Sequence, residues 1–254
     1  MPETPAYTIF NPDTGASILI ICDHATNAVP DCVNGGTLGI TPQDMGRHIA
    51  FDIGAKAVSQ YLAKALNATM LSSNFSRLVI DPNRGEDDPT LLMKIYDGTI
   101  IPGNRHADKA ERERRLNKFH RPYHRQVSRQ INAILERGQI PAIISIHSYT
   151  PKLRNRPERP WHIGILWDQD ARMPVPLMEK LRANPDICVG DNEPYSGELR
   201  GDTMYFHAAK QNLPHVLIEL RHDLIDTEQG QKHWAEILAE PLREIVENLE
   251  QKNG

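Results

Sequence analysis

Apolar, strand-like runs alternate with helix-like stretches along the whole chain, and four of the runs stop at clusters of charged or metal-binding residues. This alternation predicts an α/β fold with a mostly parallel central sheet covered by helices on both faces. The strand-like runs are residues 17–22, 68–71, 78–80, 140–147, 162–166, 187–189 and 215–220. Helices are predicted at 41–66, 108–137, 174–183, 203–211 and 227–250. The first has Thr41 as N-cap, Pro42 at the first helical position and Asp44 in the first turn. Met45, Ile49, Ile53, Tyr61 and Leu62 fall roughly along one side of it. Pro122 is expected to bend or break the second helix. Residues 85–106 and 150–160 read as loops.

In parallel sheets, ligands bind outside the carboxyl ends of the strands. The polar clusters stand at such ends: Asp23-His24, Asp81-Asn83-Arg84, His147-Ser148 and Glu219-Arg221. Four strands therefore deliver reactive side chains towards one sheet edge, which points to an enzyme.

Composition narrows the classes. The 254 residues carry 24% charged side chains and no run of 18 apolar ones, which excludes a single-pass membrane protein. The 39% apolar content still builds a large core. A net charge of −4 argues against a general nucleic-acid binder. There is no repeat and no low-complexity linker, so a single domain over residues 1–254 is expected. Residues 1–12 are polar and Pro-rich, unlike an export signal. Cys22, Cys32 and Cys188 form no C-x-x-C pair, so a cytoplasmic protein without disulfides is expected.

His24 and His147 suit a catalytic zinc, which takes three protein ligands and keeps one position open. Asp52 and His48 lie four apart on the first predicted helix and share a face, so either could complete the site. A carboxylate off the metal should take the proton from the attacking water. Glu219 is the candidate, because a Glu near the end of an apolar strand is costly to bury without a role. Taken singly, these residues have plainer readings: a hydrogen-bonded strand-end histidine, a Glu219–Arg221 ion pair, a turn capped by Asp23. His120 and His124 fit a solvated helix face as well as a functional one. Convergence on one edge favours the joint reading. No H-E-x-x-H, G-x-S-x-G or P-loop motif is present.

Six ordered motifs carry a family resemblance. They are Asp23-His24-Ala25-Thr26-Asn27-Ala28-Val29-Pro30, Asn74-Phe75-Ser76-Arg77-Leu78-Val79-Ile80-Asp81-Pro82-Asn83-Arg84 and Pro102-Gly103-Asn104-Arg105. Further on come Ser145-Ile146-His147-Ser148-Tyr149-Thr150-Pro151, Gly190-Asp191-Asn192-Glu193-Pro194-Tyr195-Ser196 and Leu213-Pro214-His215-Val216-Leu217-Ile218-Glu219-Leu220-Arg221. Across about residues 15–225 the chain resembles the N-formylglutamate amidohydrolase family, including its broader branch. The resemblance implies a three-layer, zinc-peptidase-like (phosphorylase/hydrolase-like) α/β fold and hydrolysis of the C–N bond of a small N-acylated amino acid. It implies one zinc per chain on His24, Asp52 and His147, with Glu219 as base and proton shuttle. Manganese, iron or cobalt would also accept those ligands. Arg77 and Arg84 match the basic motif expected to hold a substrate carboxylate. Asn27, Asn83 and Ser148 are expected on the substrate-binding side, and Arg221 or His222 at the oxyanion. Ala25-Thr26-Asn27 departs from the Ser or Ala followed by Gly of the nearest formylglutamate enzymes, so the substrate is not fixed by the motif.

The expected function is therefore a zinc amidohydrolase acting on a small carboxylate-bearing amide such as N-formylglutamate, with no nucleic-acid or membrane partner. Two rivals remain: a peptidase or cell-wall-type amidase on a larger substrate, and a metal- or ligand-binding relative without catalysis. Oligomeric state is not readable from the sequence.

Overall fold

The structure, a computed structural model, describes residues 5–198 and 200–253. It opens with strands β1 (Tyr7–Phe10) and β2 (Ile18–Cys22). Every residue of β2 is buried, as expected for an aliphatic run covered on both faces. Helices α1 (Pro42–Met45) and α2 (Ala55–Ala65) lead to β3 (Thr69–Ser73). A small hairpin of β4 (Ile95–Tyr96) and β5 (Thr99–Ile100) precedes α3 (Pro102–Arg105). Next come α4 (Lys109–Arg115), a π turn over Leu116–His120 and α5 (Arg121–Glu136). The second half runs through β6 (Ala142–Tyr149), β7 (Ile163–Leu166), α6 (Pro174–Arg182), β8 (Val189–Asp191), α7 (Thr203–His207), β9 (His215–Arg221) and α8 (Glu228–Asn253).

Seven strands form one sheet in the order β1-β3-β2-β6-β9-β7-β8. The central strands β3, β2, β6 and β9 run parallel, so their carboxyl ends share one edge. β1 is antiparallel to β3 and β7 is antiparallel to β9, while β8 follows β7 in parallel. The mostly parallel α/β architecture is thus as the sequence predicts. Ile18, Ile20, Ile144, Ile146, Val216 and Ile218 pack with Val58 and Leu62 of α2 and Leu238 and Leu242 of α8. Alternate residues Leu19, Ile21, Ile143 and Leu217 pack with Tyr123, Val127 and Ile131 of α5. This period-two split puts His147 and Glu219 on the α5 side of the sheet. No helix of the described residues is long and apolar enough to cross a membrane, and all three cysteines are free.

Four local expectations are corrected or refined. The helix predicted over 41–66 is two helices. α1 has the expected Thr41 cap, whose hydroxyl accepts from the Asp44 N–H at 3.1 Å, but it ends at Gly46. The chain then loops until Gly54, whose φ of +79° opens α2. A Cβ there would sit 2.2 Å from the Ile225 carbonyl oxygen, so close packing and a left-handed backbone both require glycine. Ile49, read as part of a helical stripe, is instead an apolar anchor of the loop.

Residues 78–80 are fully buried but form no strand. Their backbone finds side-chain partners in place of a ladder. The Ser76 hydroxyl accepts from the Leu78 N–H, the Asn104 amide donates to the Leu78 carbonyl at 2.7 Å, and Arg115 donates to the Val79 carbonyl at 2.7 Å. Residues 85–106 are not simply loop: Asp97-Gly98, both at positive φ, turn the β4–β5 hairpin. At Pro122 the helix is interrupted by the π turn, closed by an Arg121 N–H to Leu116 carbonyl bond, and proline then occupies the first turn of α5.

Candidate metal centre and active site

Asp23 and His24 follow directly on β2, and His147 lies near the end of β6. Parallel pairing sets Glu219 of β9 opposite His147. Asp52 arrives from the loop before α2, pinned by its N–H bond to the His24 carbonyl at 2.9 Å. Its Oδ2 lies 2.8 Å from Nδ1 of His147 and 3.2 Å from Nδ1 of His24, and accepts from the Ser148 N–H at 3.3 Å. One donor atom from each of His24, Asp52 and His147 falls within a 4.8 Å cluster, and all three residues are buried. His48, the rival third ligand, is elsewhere: its Nε2 lies 3.6 Å from Asp97. The ambiguity arose from a shared helix face that does not exist, because both residues are in the loop.

The far nitrogens of both imidazoles face carboxylates. His24 Nε2 is 2.7 Å from Oδ1 of Asp81, and His147 Nε2 is 3.4 Å from Oδ2 of Asp23. Asp81 is held by Arg77 at 2.8 Å and by the Asn83 N–H at 2.9 Å. Asp23 Oδ1 accepts from the Tyr123 hydroxyl at 2.8 Å and the Thr203 hydroxyl at 3.0 Å. A hydrogen-bonded outer carboxylate, as Asp81 is to His24, would orient a ligating histidine and fix its tautomer, whereas Asp23 and His147 approach without a hydrogen bond between Oδ2 and Nε2. Neither Asp23 nor Asp81 was assigned that role from sequence; their place in the strand-end clusters was the available signal.

The charge fits a divalent cation. Three buried carboxylates, Asp23, Asp52 and Asp81, stand around the two histidines, and one guanidinium, Arg77, pairs with the last two. With neutral imidazoles this leaves two negative charges to compensate. Burial alone would strip the proton from His147, but Asp23 and Asp52 outweigh it and hold the imidazolium well above the usual histidine range. That proton is the one a ligated cation displaces. Burial opposes the charge on Asp81 too, yet Arg77 and His24 keep it well below the usual carboxylate range. Glu219 contrasts with both. Burial, reinforced by the Asp52 carboxylate, pushes it up to about 7, and its Oε2 has no hydrogen-bond partner among the described residues.

Several residues expected to touch substrate are engaged with the protein itself. Arg77 pairs with Asp81, lies 3.5 Å from Asp52, and stacks over Tyr96 at 5.4 Å. Arg84 donates to the Asn83 carbonyl at 2.7 Å, with Asp88 4.0 Å away. Asn27 donates to the Met45 carbonyl, Asn83 accepts from the Thr203 N–H, and the Ser148 hydroxyl donates to the Ile53 carbonyl. Arg221 grips Asp223 at 2.9 and 3.2 Å, and His222 begins a short 3-10 turn. His120 and His124 are not on a solvated face. His124 Nε2 meets the Pro82 carbonyl at 2.9 Å, His120 Nε2 meets the Arg84 carbonyl at 2.9 Å, and His124 stacks on His207. Together they brace the segment that carries Asp81.

The sequence profile described as N-formylglutamate amidohydrolase matches residues 16–226. The chain belongs to the N-formylglutamate amidohydrolase family. The matched region contains His24, Asp52, His147 and Glu219. Among relatives of this N-formylglutamate amidohydrolase family chain, an N-formylglutamate deformylase of Pseudomonas putida is 24% identical over 202 residues, covering 74% of this chain and 75% of that protein. The solved structure of a gene product from Agrobacterium tumefaciens is 33% identical, with a TM-score of 0.91 over 97% of both chains. An N-formylglutamate amidohydrolase from Ralstonia eutropha shares the fold at 18% identity, with a TM-score of 0.71 over 99% of this chain and 100% of that one.

Proposed function

We propose that the protein is a metal-dependent amidohydrolase that cleaves the amide C–N bond of a small N-acyl amino acid, with N-formylglutamate as the leading substrate. The observation that carries this reading is a buried carboxylate, Glu219, whose Oε2 has no hydrogen-bond partner among the described residues, opposite His147 of a His24–Asp52–His147 cluster. Family membership and the deformylase named among the relatives support the choice of bond and substrate.

His24, Asp52 and His147 would hold the cation, zinc being the expected metal for two imidazoles and one carboxylate. A bound cation supplies acidification of water and polarisation of the acyl carbonyl. Glu219 acts as general base: it takes a proton from the water that attacks the acyl carbon. It then gives that proton to the departing nitrogen as the C–N bond breaks, leaving an acid and an amine. An affinity for protons near neutrality suits both halves of this exchange. Arg77, saturated by Asp81 and Asp52, acts on the site through those carboxylates.

The test is Glu219→Gln with N-formylglutamate. A loss of turnover of about 100-fold or more, with metal content unchanged, is expected. Full activity in that variant would overturn the mechanism. A wild-type protein that holds metal but turns over no N-formyl or N-acyl amino acid would point to a binding protein.

A further inference from the structure

We propose that Arg159, flanked by Tyr149 and Tyr195 beside Glu219, receives the carboxylate of the N-acyl amino acid substrate. The inference rests on the hydrolase reading for its substrate class, but not for its geometry.

The position follows from strand register. Tyr149 lies two residues beyond His147 on the same face of β6, one side-chain repeat or about 7 Å further out. On the neighbouring strand Arg221 pairs with Tyr149 as Glu219 pairs with His147. The chain after β6 then folds back and lays Arg159 against this outer position. Its guanidinium carbon lies 5.5 Å from the Tyr149 ring centre and 5.0 Å from that of Tyr195. Nη1 donates to the Thr150 carbonyl at 3.2 Å and to the Tyr195 hydroxyl oxygen at 3.1 Å. The Arg159 N–H bonds to the Pro151 carbonyl at 2.8 Å, and Arg221 reaches the Arg159 and Pro160 carbonyls at 3.4 Å. Arg221, expected at the oxyanion, thus braces the loop that bears Arg159.

Tyr195 is held as firmly. Gly164 of β7 stands directly opposite Glu219, and a Cβ on it would fall 1.9 Å from the Glu193 carbonyl oxygen. The missing side chain lets the segment before Tyr195 lie on the sheet next to the general base. Asn192 locks that segment, accepting from the Trp167 and Gly197 N–H groups at 2.9 Å each. Burial, reinforced by the Glu219 charge, pushes the Tyr195 phenol up to about 12, so it stays a hydrogen-bond donor at neutral pH.

Of Arg77, Arg84, Arg159 and Arg221, the first, second and fourth each have a protein carboxylate within 4.0 Å. No ion pair of the described residues includes Arg159, and its Nε and Nη2 donate to no described residue. A guanidinium pre-positioned between two rings, with one edge uncompensated, is suited to a bidentate carboxylate. It packs on Tyr149, the residue one strand repeat beyond His147, so it stands on the outer side of Glu219, where the carboxylate end of a substrate whose acyl group lies at Glu219 would extend.

The test is calorimetric binding of N-formylglutamate to the metal-loaded Glu219→Gln protein, which reports affinity without turnover. Adding Arg159→Met should weaken binding at least about 30-fold, Arg159→Lys should weaken it less, and Arg156→Met in the same loop should change nothing. In the protein with Glu219 intact, Arg159→Met should raise KM far more than it lowers kcat. Equal binding by Arg159→Met, a loss carried by Arg84→Met in its place, or no binding at all would overturn the assignment. Binding that depends on Arg159 in a wild-type protein without turnover would sink the hydrolase reading and leave this one standing. Turnover indifferent to Arg159→Met would do the reverse.

Discussion

His24 Nε2 lies 2.7 Å from Oδ1 of Asp81, so the histidine presents its other nitrogen, Nδ1, to Asp52 and His147's side of the cluster. Asp23 Oδ2 stands 3.4 Å behind His147 Nε2 as an electrostatic partner, without a hydrogen bond. Asp81→Asn and Asp23→Asn should each lower metal affinity about 10- to 100-fold without removing a ligand. Competition with a chromophoric chelator measures this. Unchanged affinity in both variants would make the pairs structural only.

The buried histidines behind this segment predict an acid sensitivity. Burial, only partly offset by Asp23, lowers His207 to about 4, and burial with the neighbouring His120 and His207 lowers His124 to about 3. Folded-state values below the unfolded value of about 6.5 mean that the unfolded chain takes up protons first as pH falls. Their cost is absent above pH ~6.5 and grows down to the folded values. His207 alone should remove on the order of 3 kcal/mol between pH 7 and 4. Urea midpoints at pH 7, 5.5 and 4.5 should fall less steeply in His207→Gln than in wild type; parallel slopes would contradict this origin.

Gly164→Ala should displace the segment before Tyr195, because its Cβ cannot coexist with the Glu193 carbonyl. A loss of about 1–3 kcal/mol in denaturant stability is expected, with a raised KM. Wild-type stability and KM would show that the loop yields without consequence.

Arg115 is fully buried and joins Glu111, the Val79 carbonyl and the Asn104 side chain. Arg115→Met leaves the Val79 carbonyl and the Asn104 oxygen without that donor and should cost about 3 kcal/mol, since Glu111 keeps some solvent and its bonds from Arg114 at 2.6 and 2.7 Å. Thermal unfolding measures it. A neutral change would mean that water replaces the guanidinium.

How far the sequence reads depends on the kind of partner each residue needs. The buried strands β2, β6 and β9 were visible because an aliphatic run satisfies its backbone through the sheet alone. His24, His147 and Glu219 were legible through their place at those strand ends. Residues 78–80 misled because their apolar content matches a strand, while the donors that replace the ladder, Asn104 and Arg115, come from far along the chain. Asp52 was a candidate beside His48 by spacing and was preferred through the family resemblance; the supposed helix they shared is a loop shaped by Gly54 and the Ile225 carbonyl. The Asp97-Gly98 dipeptide is a local hairpin signal inside a segment whose Gly, Pro and Asp content otherwise reads as loop. The duties of the arginines were not readable, since the contrast between Arg77, bound to Asp81 and Asp52, and Arg159, bound to no acid among the described residues, is set by tertiary placement.

The most direct measurement of the central claim is the metal content of protein purified without added metal, for wild type, His24→Ala and His147→Ala. The account predicts roughly one zinc per chain in wild type, lost in both variants while the fold is retained. Metal absent from wild type, or equally present in all three, would contradict a His24–Asp52–His147 centre.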